Sequence, residues 1–270
     1  MQNSQNKLQE ESTSSRPNRQ LIETLKIRFD LPLLPKHIYQ FRGAMADAAG
    51  WEHNLFHNHG YQPPEQAEQP NAASDRLTKA ADLPKQLSKA VFYRYPLIQY
   101  RSEGGKAAIW AMGDGIEAIR QWMNDGLDNF RIGGRRKPLK IVDFKGTDFY
   151  LRRTEELHTY RLMDWLALNQ VNYQRWQKIG RYIERITLLE EVLAGQLLSF
   201  ATAAGWQIPE RFEVQLYNVR SARPVQVHGS ERMAFNILYK TNLCLPPSIA
   251  VGRSTAFGFG VQQPTKNKIN

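Results

Sequence analysis

Apolar and polar residues alternate from Leu21 to Asp30, around Leu21, Leu25, Ile27 and Phe29, and this period of two predicts a strand. Leu31-Pro-Leu-Leu-Pro35 breaks it. From Lys36 to Gly50 the spacing is helical, with Ile38, Phe41, Met45 and Ala48 or Ala49 on one face and Gly50 at the stop. A dense stretch from Trp51 to His59 leads into a Pro, Gln, Ala and Asp-rich segment, about Gly60 to Lys89, that lacks periodicity and is expected to be an inserted loop. Ala90 to Tyr100 alternates aromatic and polar residues as a strand. Glu103-Gly104-Gly105 makes a turn, and Lys106 to Met112 returns as the hairpin partner. Gly113-Asp114-Gly115 then caps a second amphipathic helix carrying Ile116, Ile119 and Met123, and two further strands are expected near Leu139–Arg152 and His158–Leu168. The first half therefore reads β-α-β-β-α-β, the ferredoxin-like order.

Beyond Asn169 the pattern changes. Trp176, Ile179, Ile183, Ile186, Leu189 or Leu193, Leu197 and Phe200 keep helical spacing over about Asn172 to Ala204, and predict one long helix ending at Gly205. Such a stripe is a packing face. Strands are expected at Phe212–Val219, Val225–Val227 and Met233–Leu245, with a turn at His228-Gly229-Ser230. The class is α+β, in two halves: a disordered tail at 1–19, an N-terminal domain at 20–169, a C-terminal domain at 170–262 and a short tail at 263–270.

Charge narrows the field of partners. Among 270 residues, 36 Lys and Arg against 26 Asp and Glu leave a formal charge of +10. The basic residues cluster, as Arg131 with Arg135-Arg136-Lys137, Arg152-Arg153, and Arg220 with Arg223, which suits a polyanion. Cys244 is the single cysteine, so no internal disulfide forms. Met1 to Arg19 has no apolar signal core, and the best apolar run, Leu188 to Trp206, is interrupted by Glu190-Glu191 and Gln196. A cytoplasmic location without membrane contact is the expectation.

Two stretches offer chemistry. Ala250 to Val261 carries Gly252, Gly258 and Gly260, which permit close backbone approach, with Arg253 and Ser254-Thr255 as phosphate donors and Phe259 between glycines. It has neither G-x-G-x-x-G nor the lysine of a P-loop, so a nucleotide loop is excluded. A polyanion cradle and a plain closing hairpin both fit it. His53, His57 and His59 fall within seven positions, and His-x-His spacing puts the last two on one side of an extended segment. Three readings stand for them: a metal site completed by Glu52 or Asp47, structural loop histidines, or a base and an acid working together. The lone Cys244 lies in an apolar strand, and there is no nucleophile elbow and no acidic cluster for two-metal chemistry. A basic chain with a histidine pair and phosphate-friendly glycines suits RNA cleavage, in which the 2′-hydroxyl itself attacks the phosphorus.

Longer motifs carry a resemblance. Phe41-Arg42-Gly43, Phe56-His57-Asn58-His59, Tyr93 to Tyr100, Trp165 to Gln170, Leu197 to Ala201, Tyr239 to Pro246 and Gly252 to Gly260 stand in an order and spacing that resemble the CRISPR-associated precursor-crRNA-processing endoribonucleases of the RAMP superfamily, in the subgroup with the Phe-His-Asn-His motif. The resemblance implies two tandem ferredoxin-like (RRM-like) domains with antiparallel sheets, a basic cleft between them and a C-terminal glycine-rich loop. It implies sequence-specific, metal-independent cleavage of CRISPR repeat RNA, giving 5′-hydroxyl and 2′,3′-cyclic phosphate ends, with no cofactor. On this resemblance His57 and His59 are the catalytic pair, and Tyr39 is a further candidate. Gly252, Arg253, Ser254, Gly258, Phe259 and Gly260 hold the RNA, whether precursor or mature crRNA. The alternative is a non-catalytic RNA-binding subunit of the same fold. Association with other CRISPR effector proteins and formation of a homodimer are left open.

Overall fold

The computed structural model describes residues 19–50, 53–57, 59–61, 91–208, 211–227 and 229–265. Residues 1–18 of the tail predicted at 1–19, nearly all of the insertion predicted over about Gly60 to Lys89, and His228 lie outside them, and Arg19 begins the first strand. The chain runs through β1 (Arg19–Pro32), α1 (Ile38–Ala49), the single turn α2 (Asn54–His57), β2 (His59–Tyr61), β3 (Val91–Tyr93), β4 (Ile98–Glu103), β5 (Lys106–Met112), α3 (Asp114–Asn129), β6 (Arg131–Ile132) and β7 (Arg135–Arg136). It continues with β8 (Ile141–Trp165), α4 (Gln170–Lys178), α5 (Tyr182–Ala203), β9 (Val214–Val227), β10 (Ser230–Cys244) and β11 (Val261–Pro264).

One antiparallel sheet of seven strands organises both halves, in the order β4-β5-β1-β8-β10-β9, with β11 also paired to β8. In the first half β1, α1, β4, β5, α3 and the start of β8 make a ferredoxin-like unit with β1 between β5 and β8. In the second, the end of β8, α5, β9, β10 and β11 repeat that strand order, with β8 between β10 and β11. The residues between β10 and β11 form a loop with one 3-10 turn, Thr255–Phe257, where a second helix would complete the repeat.

Strand β8 is shared. The sequence predicts two strands with a gap, but the chain stays in the sheet for 25 residues. The gap is a bulge: Arg153 pairs with Leu243 and His158 with Thr241, so four residues of β8 face one of β10. Thr154 donates from Oγ1 to the carbonyls of Glu156 and Asn242, while Asn242 Oδ1 accepts from the Glu213 amide at 2.9 Å. The polar run Arg153 to Glu156 thus marks where the strand passes from one half to the other.

The long helix predicted at 172–204 is two helices. Asn169 caps α4 by accepting from the Asn172 amide at 2.7 Å, and the helix ends at Ile179, whose ψ of 119° is extended. After Gly180, α5 packs Leu189, Leu193, Leu197 and Phe200 against Phe235, Ile237 and Tyr239 of the sheet. The polar residues interrupting that stripe are used: Glu190 Oε1 accepts from the Leu216 amide at 2.7 Å, and Gln196 accepts from Trp165 Nε1 at 2.7 Å. By length and composition α5 is apolar enough to cross a membrane, but its apolar stripe lies in the core. The strand predicted over 90–100 is also split, with Pro96 between β3, which pairs with β2, and β4.

Candidate nucleic-acid site on the first helix

Helix α1, which carries the predicted Tyr39, is fixed firmly by its apolar face. Phe41 is fully buried and meets Phe29, Tyr100 and Phe130 edge-on, with ring centroids 5.8–6.1 Å apart. Pro35 opens the preceding 3-10 turn, and Gly50, at φ 83°, closes the helix. The exposed positions of α1 are Tyr39, Gln40, Asp47 and Ala48, while Arg42 and Gly43 are half-buried.

At its C-terminal end α1 meets the histidine motif. Phe56 is 1% exposed and anchors the short turn α2, while Arg94 Nη2 donates to Asn54 Oδ1 at 2.7 Å. His57 closes that turn, and His59 opens β2 opposite Tyr93. The segment is therefore not extended through His57, as the His-x-His spacing suggested: Phe56 fills the core best from a helical turn. The His57 ring is half-buried, with Nε2 3.2 Å from the Gly50 carbonyl. A carbonyl oxygen only accepts, so Nε2 carries the proton and the lone pair of the neutral ring lies on Nδ1. The side chain of His59 is outside the described residues, as are Glu52 and Asn58. His53 sits edge-on to Phe56 at 6.4 Å. Among the described residues no group of three His, Cys, Asp or Glu is placed to hold a metal ion.

Tyr39 is not brought to His57. It is 53% exposed in the first turn of α1, where its hydroxyl accepts from Gln40 Nε2 at 3.1 Å.

The glycine-rich segment comes to the same helix from the other half. Gly258 packs so closely on Ile38 that an added Cβ would lie 3.1 Å from its Cδ1. At Gly252 a Cβ would meet Trp165 Cδ1 at 2.7 Å, and at Gly260 it would fall 1.9 Å from the Val251 carbonyl oxygen, with φ at 67°. All three glycines are thus required by the loop's own fold. Phe259 packs on Leu166, Val227 and Ala234. Arg253 and Ser254 are half-buried, and the Arg253 amide donates to the Leu166 carbonyl at 3.1 Å.

The residue that joins the two stretches is Arg42. Its Nη2 donates to the His57 carbonyl at 2.5 Å, and its guanidinium lies 5.0 Å from the centre of the Phe257 ring. From the sheet side, Tyr95 donates to the Ala250 carbonyl at 2.8 Å, and burial pushes its phenol far above the usual range, so it remains a donor. Sequence reading quoted Arg42 and Tyr95 within motifs but assigned them no role. Only the fold brings residues more than 150 positions apart to one place.

Two family models match in tandem: the Cas6b N-terminal domain over residues 84–149 and the Cas6b C-terminal domain over residues 152–265. No curated protein matches the chain. A solved structure described as the crystal structure of Cas6b superposes with a TM-score of 0.70 at 20% identity, covering 91% of this chain and all of that one. A CRISPR RNA processing endoribonuclease Cas6b gives 0.62 at 18% identity, and Csf5, a type IV Cas6 crRNA endonuclease, gives 0.50 at 12%, each over 91% of this chain and 100% of the other. These likenesses show a shared fold, while α1 and the histidines precede the residues the family models match. With both domain models met in order from residue 84 to residue 265, and the junction between them inside the shared strand β8, the chain belongs to the Cas6b family.

Proposed function

We propose that this chain is an endoribonuclease that processes CRISPR repeat RNA, cutting without metal by attack of the RNA's own 2′-hydroxyl and leaving 5′-hydroxyl and 2′,3′-cyclic phosphate ends. The observation that carries this reading is the bridge at Arg42, which ties the backbone of His57 to the glycine-rich loop. A phosphodiester held at the loop, through Arg253, Ser254 and backbone amides, lies on the same helix as the histidine motif. His57 and His59 supply the base and the acid. One of them takes the 2′-hydroxyl proton and the other protonates the leaving 5′-oxygen. Positive groups at the loop stabilise the charge that gathers on phosphorus. Family membership and the activities described for Cas6b and Csf5 support the substrate class.

The test is cleavage of the repeat RNA from the chain's own CRISPR array in excess chelator, with both new ends mapped. Cutting that persists and leaves a cyclic phosphate is expected. A substrate with a 2′-deoxy sugar at the cut site should bind and resist. Dependence on a divalent ion, or cutting of the deoxy substrate, refutes the mechanism, and binding without any cutting leaves the non-catalytic subunit as the reading.

A further inference from the structure

Beneath the glycine-rich loop lies a buried cation whose hydrogen-bond donors the fold leaves partly unmet. Arg101, on β4, is 3% exposed. Its Nη2 donates to Gln99 Oε1 at 2.6 Å and to the Ser248 carbonyl, and its guanidinium lies 5.6 Å from the Trp110 ring centre. Its Nε and Nη1 are buried with no hydrogen-bond partner among the described residues. No carboxylate among them pairs with it, because Glu103, two residues on, is bound to Lys26. Burial pushes its pKa down to about 10, which still leaves it charged at neutral pH. A buried cation with two unmet donors lowers stability.

Its position suggests what the charge is for. Ser248 and Ala250 begin the loop; Arg101 holds the carbonyl of the first and Tyr95 that of the second, and Gln99 Nε2 ties the two side chains by donating to the Tyr95 hydroxyl at 2.9 Å. A Cβ at Gly258 would stand 3.9 Å from Arg101 Cα, so the loop lies directly over this residue. We infer that Arg101 is a positioning residue for RNA binding: it fixes the entry of the glycine-rich loop through Ser248 and supplies a permanent positive charge beneath it, without touching the RNA. A buried charge is little screened by salt, unlike an arginine at the surface. The inference rests on reading the loop as the RNA grip.

That difference sets the experiment: RNA affinity measured by anisotropy across a salt series, with melting temperature, for the wild type, Arg101→Met, Arg101→Lys and Arg253→Ala. Arg253→Ala removes a phosphate contact, so it weakens binding and flattens the slope of affinity against salt by about one counterion. Arg101→Met is expected to weaken binding by about tenfold at every salt concentration, with the slope unreduced. Arg101→Lys, which keeps the charge, should bind more tightly than the Met variant. Wild-type affinity in Arg101→Met, a flattened slope, equal binding by the Lys and Met variants, or a Met variant that does not fold would each overturn the inference. A wild-type protein that fails to bind the RNA, or an Arg253→Ala variant that binds normally, would instead sink the reading of the loop.

Discussion

Arg42→Met tests whether the histidine motif and the loop act as one site. Methionine keeps an apolar stem of similar length but removes two interactions. The charge-assisted bond to the His57 carbonyl is of the kind that contributes about 1.5–3 kcal/mol, and the contact over Phe257 adds about 0.5–2 kcal/mol. Their sum, about 2–4 kcal/mol once overlap is allowed for, is shared between the global fold and the local seating of α2. If half of it appears in global stability, the melting temperature falls by roughly 2–8 °C for a chain of this size. The remainder loosens His57 against the loop, and misplacement of a catalytic group by about an ångström is enough to cost about 10²-fold in rate. The assay is single-turnover cleavage with enzyme in excess and the RNA saturated, so that weaker binding does not enter. A fall of about 10–100-fold is expected, with partial recovery in Arg42→Lys. Leu197→Ala, a buried change remote from α1 with a cost of about 2–5 kcal/mol, controls for lost stability. If Arg42→Met cleaves at the wild-type rate, or Leu197→Ala loses as much, the bridge does not position His57.

Other outcomes follow from the same geometry. His57→Ala and His59→Ala should each lower the saturated cleavage rate by about 10²–10⁴-fold while RNA affinity stays near wild type; an equal loss of affinity in both would return the histidines to a structural role. Gly260→Ala forces a Cβ to within 1.9 Å of the Val251 carbonyl at a positive φ, so chemical denaturation should show a loss of about 2–4 kcal/mol, and a change under about 1 kcal/mol would mean that the loop repacks freely. Gly43→Ala meets nothing within 4 Å in the middle of α1 and should raise stability by about 0.5–1 kcal/mol; a simultaneous fall in RNA affinity would place the RNA against that side of the helix.

Much of the fold was legible because local pattern and tertiary role agreed. The alternation of β1 and the spacing of Ile38, Phe41 and Met45 predicted their elements to within a few residues, since each buries one face against the same core. The misreadings have physical causes. At 153–157 the sequence signalled a break, and a break exists, but as a bulge held by Thr154 and Asn242 rather than as the end of a strand. Ile179 kept helical spacing across an interruption at Gly180, so a stripe of apolar residues read as one helix although the chain turns there. The paired histidines were visible as residues. Their support was not, because Arg42, Tyr95 and Arg101 act on carbonyls far along the chain, and a backbone carbonyl leaves no mark in a sequence.

The glycine-rich loop sharpens this point. Its three glycines are the most conspicuous feature of the sequence, yet each is explained by what it packs against: Gly252 by Trp165, Gly258 by Ile38 and Gly260 by Val251. They record how a loop stands in for the missing helix of the second half and reaches α1 of the first, and so carry no information about the ligand. What bears on a ligand is the set of charges that this close packing gathers, with Arg42 bridging to His57, Arg101 buried beneath and Arg253 in the loop itself. A variant that keeps every glycine and loses these three cations should therefore retain the fold and lose the RNA. The comparison with Gly260→Ala, which should lose the fold first, separates the two roles in one pair of measurements.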